Sequence, residues 1–280
     1  MAEFEGDVRG KTILITGSTD GVGRWVAERC GAGGARVLVH GRDRSRGEAV
    51  VETIVRGGGE ARFFAADLAS LADVRALAEA VQKETDGLDV LVNNAGIGAA
   101  GNRRETSADG FELRFAVNYL AGFLLTRLLL PQLEQRAPSR VVNVASAGQQ
   151  AIDFSDVMLT RGYSGMRAYC QSKLAQILFT IDLAEELRDR GVTVNALHPA
   201  TYMDTTMVRQ SGVSPMSTVE EGGEAILRLV ASPAVAGVSG RYFSGLREAR
   251  ADRQAYDAAA RQRLRALSFE LAGMADPAGR

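Results

Sequence analysis

The chain is expected to fold as an α/β protein, an open, doubly wound parallel sheet of Rossmann type with helices on both faces. Three observations predict it. Short runs rich in β-branched residues alternate with helix-patterned stretches from "KTILIT" (11–16) onward. The runs are apolar at successive positions, as strands covered on both faces require. A glycine cluster follows the first run, where a strand hands over to a helix.

After "KTILIT" comes a helix beginning near "GRWVAERCGAG", the strand "ARVLVH" (35–40), and an Arg- and Glu-rich helix stopped by Gly57, Gly58 and Gly59. The rhythm continues through "ARFFAADL", a helix over 70–85, "LDVLVNNAG" (88–96) and a long helix near 110–136. Then follow "SRVVNVAS" (139–146), a helix over 167–190, "VTVNALHP" (192–199), a helix over 219–231 and a short strand around "GRYFS". The charged tail from 246 to 280 reads as helical. Residues 147–166 and 200–218 break the pattern, and both follow strands, so they are expected to lie over the carboxyl ends of the sheet, where ligands bind. No linker or repeat divides the chain, so 1–280 is read as one domain.

Composition narrows the function classes. At 280 residues, 46% apolar and 24% charged, with a net charge of -1, the chain has no basic field to draw nucleic acid. Its two cysteines, Cys30 and Cys170, lie in helical patterns and read as buried thiols in a reducing compartment. "MAEFEGDVRGK" carries no apolar core of a signal or anchor, and the run "YLAGFLLTRLLL" (119–130) is short for a bilayer. The expectation is a cytoplasmic protein with no membrane partner. His40 and His198 are the only histidines, and no His, Cys or carboxylate spacing suits a metal.

"TGSTDGVGR" (16–24) places Gly17, Ser18, Thr19, Gly21, Val22 and Gly23 at a helix N-terminus, where backbone N–H groups meet a diphosphate. A tight turn alone would also explain the glycines; the strand-to-helix setting favours a dinucleotide. An acid that holds the adenosine ribose of NAD is expected at the end of the second strand, but the chain reads His40-Gly41-Arg42. Gly41 leaves room, and Arg42, helped by Arg24, is suited to a 2′-phosphate, so NADP(H) is the expected cofactor. Asp43 keeps NAD(H) as the alternative. Asp67 and Leu68 after the third strand are expected beside the adenine, and Asn94, Ala95 and Gly96 after the fourth over the middle of the cofactor.

"YSGMRAYCQSK" (163–173) holds two tyrosines, each four residues ahead of a base. Tyr169 and Lys173 are one helical turn apart and share a face; Tyr163 is flanked by Gly162 and Gly165, so its pairing with Arg167 has no such geometry. Only Lys11, Lys83 and Lys173 are lysines, against thirty arginines, which asks of Lys173 a role that guanidinium could not fill.

The ordered set of glycine turn, "NNAG", Asn118, Ser146 and Tyr169-x3-Lys173 resembles the short-chain dehydrogenase/reductase family over residues 10–245. The resemblance implies that Tyr169 is the acid/base and that Lys173 binds the nicotinamide ribose and lowers the tyrosine pKa. It further implies that Ser146 holds the substrate oxygen and that Asn118 supports a proton-relay water. It makes the chain a carbonyl reductase or alcohol dehydrogenase working on a small-molecule carbonyl or alcohol. The alternative is a nucleotide-sensing regulatory protein without turnover.

Ser146 and Tyr169 lie 23 positions apart, longer than the family habit and similar to its retinol-dehydrogenase-like and protochlorophyllide-reductase-like members. The family's Pro-Gly is Pro199-Ala200 here, followed by Thr201, Thr205 and Thr206 as candidate carboxamide contacts. Phe154, Met158, Leu159 and Tyr163 on one loop, with Tyr202, Met203 and Met207 on the other, either form an apolar substrate wall or pin their loops to the sheet. Helices 110–136 and 167–190 carry more apolar surface than one sheet face covers, so a homodimer or homotetramer is expected.

Overall fold

The structure, a computed structural model, describes residues 6–277. Eight strands form one sheet in the order β3-β2-β1-β4-β5-β6-β7-β8. They are β1 (Thr12–Ile15), β2 (Arg36–Gly41), β3 (Glu60–Ala65), β4 (Val90–Asn93), β5 (Ser139–Val144), β6 (Val192–His198), β7 (Tyr242–Ser244) and β8 (Arg247–Ala249). All pairs are parallel except β7 with β8. The strand order reverses between β1 and β4, which opens the crevice at their carboxyl ends.

Each central strand feeds two apolar layers because successive side chains point to opposite faces. Leu14, Leu38, Leu91 and Val141 face one layer; Ile13, Ile15, Val37, Val39, Val90, Val92, Val142 and Val144 face the other. The second layer is closed by α1 (Gly21–Ala32), α2 (Arg44–Arg56) and α7 (Val219–Ala231). The first is closed by α3 (Leu71–Glu84), α4 (Ala121–Gln135), α5 (Gly165–Glu186) and α8 (Ala258–Leu271). A short α6 (Thr206–Gln210) lies in the second loop, unforeseen in the sequence. Most of these helices start at a side-chain cap: Asp20, Asp43, Ser70, Ser164, Thr205, Thr218 and Asp257 each accept from a backbone N–H of the first turn.

Three expectations change. The long helix does not run evenly from 110: a π-helical segment, Phe115–Leu120, leads into α4. Together Phe115–Gln135 is 21 residues, long and apolar enough to cross a membrane by length and composition, and 72% of its most apolar window is buried inside the protein. The tail from 246 is not helical throughout. Gly245, at φ +56, lets the chain reverse through Leu246 into the antiparallel β8, and a 3-10 turn (Arg253–Tyr256) then precedes α8. Residues 1–5 and 278–280 lie outside the described residues.

Third, α8 occupies the apolar face on which the expected homodimer or homotetramer rested. Its Phe269 meets Phe123 of α4 edge-on at 5.2 Å, and Phe123 meets Phe179 of α5 at 5.2 Å. The Arg127 guanidinium lies 4.9 Å from the Phe269 ring centre and donates to Glu186 at 2.6 Å, while Arg265 of α8 reaches Asp182 at 3.1 Å. The Tyr119 and Ser268 hydroxyls share a bond of 2.6 Å. α8 thus covers this face within one chain, which changes the ground of the oligomer expectation and not the expectation itself. Phe269→Ala is expected to cost about 3–5 kcal/mol of unfolding free energy, read as a lower urea midpoint at unchanged slope.

Candidate active site

Two close approaches build the phosphate end of the crevice. Gly17 and Gly21 adopt φ of +65 and +53, which side-chain-bearing residues avoid, and a Cβ on Gly17 would stand 2.8 Å from the Ala95 Cα. A Cβ on Gly23 would collide with the Asn94 amide and the Gly17 carbonyl. Asn94 Nδ2 donates to the carbonyls of Thr16 (2.8 Å) and Gly17 (3.1 Å), and Thr16 Oγ1 accepts from the Asn94 and Ala95 N–H groups, each at 3.0 Å. The loops after β1 and β4 are therefore one stitched unit. The cradle fits a dinucleotide: left-handed glycines at the N-terminus of α1, with Val22 buried behind them.

Ser18 and Thr19 serve this turn differently from expectation. The Ser18 hydroxyl is turned inward, donating to the Ile15 carbonyl at 2.7 Å and accepting from His40 N–H at 3.0 Å. Buried His40 accepts the Gly17 N–H on Nδ1 at 3.1 Å; burial holds its pKa down at about 4, against the Ala66 carbonyl and Asp67 charge, so the ring stays neutral. Thr19 lies against Gly41, where a Cβ would fall 2.5 Å from the threonine methyl. The absence of a side chain at Gly41 thus makes room for Thr19 of the glycine turn.

Arg42 is exposed and lies 4.0 Å from Asp67. Asp43 caps α2, accepting from Arg46 N–H at 3.0 Å. Arg24, the expected helper of Arg42, is bound to Glu28 at 2.7 Å. Arg46, unmarked in the sequence reading, stands in the first turn of α2 with its guanidinium 3.8 Å from Asp20 on the glycine turn. After β3, Asp67 accepts from Ala69 N–H at 3.0 Å and Leu68 is buried.

At the other end, α5 begins at its Ser164 cap and carries Tyr169 and Lys173 on one face. The Lys173 ammonium lies 5.8 Å from the Tyr169 ring centre. It is buried, donating to the Val144 carbonyl at 2.8 Å and to Gln176 Oε1 at 3.1 Å, and burial pushes its pKa down to about 7. The Tyr169 phenol is raised above its ordinary value by burial, opposed by a hydrogen bond with the Ser146 hydroxyl. Ser146 and Tyr169 meet across their long separation in the chain at Gly148, where a Cβ would lie 3.5 Å from Ser146 Oγ and 3.6 Å from Tyr169 Cε1.

Ser146 is itself held. Its hydroxyl accepts from Gly148 N–H at 3.0 Å, and its carbonyl accepts from Gln149 Nε2 at 3.0 Å and from the Tyr242 hydroxyl at 3.1 Å. Gln149 Oε1 in turn accepts from Asp252 N–H at 2.7 Å, tying the first loop to the segment after β8. Asn118 sits on the π-helical segment, its Oδ1 accepting from Ile97 N–H at 2.7 Å and its Nδ2 donating to Ser172 at 2.9 Å. Its side chain anchors the Gly96–Ile97 turn to α5, and π-helical turns are frequent where a site re-aims its backbone.

Tyr163 has a fixed partner set apart from the reacting pair. Its hydroxyl accepts from Arg114 and donates to Glu112 at 3.1 Å, and burial with the Glu112 charge pushes its pKa up to about 12. Arg114 also donates to the Gly98 and Ala100 carbonyls. Arg167 pairs with Asp153 at 3.0 Å. Glu112, Arg114, Gln149 and Tyr242 were missed in the sequence because the partners that place them here, Tyr163 for the first two, Asp252 for Gln149 and Ser146 for Tyr242, are far away along the chain and no motif marks them.

On the first loop, Leu159 is buried while Phe154 and Met158 pack on the core, so these residues pin the loop. Met203 likewise packs on the second layer. Tyr202 and Met207 remain exposed, and Thr201, beyond buried Pro199, bonds His198 at 3.0 Å. Thr205 reaches furthest toward the cradle, its methyl 3.1 Å from where a Gly21 Cβ would stand. A cavity of about 350 Å³ beside His198, Thr201, Glu221 and Glu224 contains none of Ser146, Tyr169 and Lys173. Among the described residues no three His, Cys, Asp or Glu side chains converge as a metal group.

The sequence model of the short chain dehydrogenases matches residues 11–214. Human retinol dehydrogenase 13 is 38% identical over 98% of this chain and 88% of its own length. An uncharacterised Mycobacterium paratuberculosis protein superposes with a TM-score of 0.79 at 31% identity, covering 97% of each chain. The Pseudomonas aeruginosa RhlG/NADP active-site complex superposes at 0.71 with 27% identity, over 87% of this chain and 97% of that one. Agreement of this extent, in sequence and in fold, leaves one conclusion: the chain belongs to the short-chain dehydrogenase family.

Proposed function

We propose that the protein is an NADP-dependent oxidoreductase that interconverts a carbonyl and an alcohol on a largely apolar molecule of small to medium size. The observation that carries this reading is the buried Lys173 ammonium, bonded to the Val144 carbonyl and 5.8 Å from the Tyr169 ring centre one helical turn away. A nicotinamide, when bound, supplies or accepts the hydride. The glycine turn with Thr205 would hold the diphosphate, and Arg42 with Arg46 would hold a 2′-phosphate. The NADP in the RhlG complex, at 27% identity, supports that choice. The retinol named for the human relative supports an apolar substrate, as do exposed Tyr202, Met207 and Met166 around the second loop and the start of α5.

In the reducing direction Ser146 donates to the substrate oxygen and Tyr169 delivers its proton there. The phenol starts raised by burial, so each pKa unit by which cationic charge lowers it favours phenolate by about 1.4 kcal/mol. Lys173 supplies that charge only while protonated. With its pKa near 7 in the folded protein and higher in the unfolded chain, the charged form is full below that value and drains as pH rises through it.

Cofactor oxidation with retinal, decanal and pyruvate tests the whole reading: decanal and retinal should be reduced far faster than pyruvate, and no turnover of any carbonyl would favour a sensing role. Tyr169→Phe is expected to lower kcat/KM about 10²–10⁴-fold with NADPH still bound by fluorescence titration. Tyr163→Phe should keep the turnover number and lose about 1–3 kcal/mol of stability, because it leaves Glu112 and Arg114 short of a partner. Equal catalytic losses in the two variants would refute the assignment. Arg42→Ala with Arg46→Ala should cost NADPH at least tenfold in kcat/KM and leave NADH nearly unchanged; equal losses with both cofactors would place the selecting contact elsewhere.

A further inference from the structure

A buried ammonium has three N–H donors and no solvent to satisfy them. Lys173 spends one on the Val144 carbonyl at the end of β5 and a second on Gln176 Oε1, one turn further along α5. The amide orientation is fixed by this contact, since an ammonium only donates. Gln176 is itself 4% exposed on a stretch of α5 where its neighbours Leu174, Ala175, Ile177 and Leu178 are fully buried. A polar side chain among these has a large burial cost unless its partner matters.

The groups that face the ammonium from other elements are neutral. They are the Val144 carbonyl from β5, the Asn118 amide from the π-helical segment, and the Gly96 turn, where a Cβ would lie 3.4 Å from Nζ and 3.3 Å from Asn118 Oδ1. On α5 the titratable neighbour is the Tyr169 phenol, whose ring centre is 5.8 Å away. Burial pushes the lysine down, and among the described residues no carboxylate bonds the ammonium. Gln176 is therefore the only side chain among the described residues bonded to the ammonium.

We propose that Gln176 is a positioning residue that holds Lys173 protonated and aims it, leaving the third donor for the cofactor side of the crevice. The role rests on the catalytic reading of Tyr169 and Lys173, and acts through Lys173 alone. An acceptor favours the charged form, so removing it lowers the lysine pKa, and replacing it with a carboxylate raises it.

The lysine-poor composition makes the test direct. With 13Cε-labelled lysine, the whole protein gives three signals, assigned through Lys11→Arg and Lys83→Arg. The Lys173 titration midpoint is expected to fall by about one pH unit in Gln176→Leu and to rise by at least as much in Gln176→Glu, with Gln176→Asn between the parent and Leu. The alkaline limb of kcat/KM against pH, measured with decanal, should move the same way. A Lys173 midpoint unchanged in both Leu and Glu variants would overturn the proposal whatever the kinetics. Midpoints that move as expected while the alkaline limb stays fixed would uphold Gln176 as the lysine's holder and refute instead the catalytic reading of Lys173. Should Gln176→Leu fail to fold, Gln176→Glu decides alone, an unmoved or lowered midpoint overturning the idea.

Discussion

The stitch between β1 and β4 is the constraint on which the site depends. Thr16 Oγ1 takes two N–H groups from the loop after β4, and Asn94 returns two donors to the loop after β1. Neither loop could hold its form alone, since each would leave buried backbone groups unpaired. With the stitch made, Gly17 is pressed so close to Ala95 that a methyl cannot enter, and the helix N-terminus of α1 points at the crevice. His40 joins from β2 only because it is neutral: a protonated ring would offer Gly17 N–H a donor instead of an acceptor.

The other half of the site rests on burial. Tyr169 and Lys173 share one face of α5 by sequence spacing, but their proton affinities come from what surrounds them. Burial raises one and lowers the other, so two groups whose ordinary values nearly coincide are driven apart. A guanidinium could not take part, because its own value stays far above neutrality. That difference gives a reason for a lysine here in a chain where arginine does nearly all other cationic work.

Much of the architecture was readable because doubly covered strands must be apolar at every position, which β1, β2, β4 and β6 nearly are. The shared face of Tyr169 and Lys173 was readable for a similar reason: spacing along one helix is local. What escaped is long-range. β8 reads as charged because Arg247 and Glu248 sit on an exposed sheet edge, although Gly245-Leu246 is a hairpin signal. The close approach of Thr19 to Gly41 has no signal along the chain either. The cover that α8 provides is visible only when Phe269 is placed against Phe123, and nothing local in the tail says where it will dock.

The segment from β7 onward touches both the site and the far helices. Tyr242 and Asp252 hold the Ser146 loop, Gln254 exchanges two hydrogen bonds with Ile152, and α8 closes over α4 and α5. The order of synthesis turns this into a delay. At roughly 5–20 residues per second, several seconds separate the emergence of Lys173 from that of α8. Through that interval the nascent chain already carries its glycine turn, tyrosine and lysine, yet the Ser146 loop is untethered and the aromatic face of α4 and α5 stands open to chaperones and to neighbouring nascent chains. Emergence of Tyr242 and Asp252 fastens the serine loop and emergence of α8 then covers that aromatic face, so the site is tethered shortly before the face beneath it is sealed.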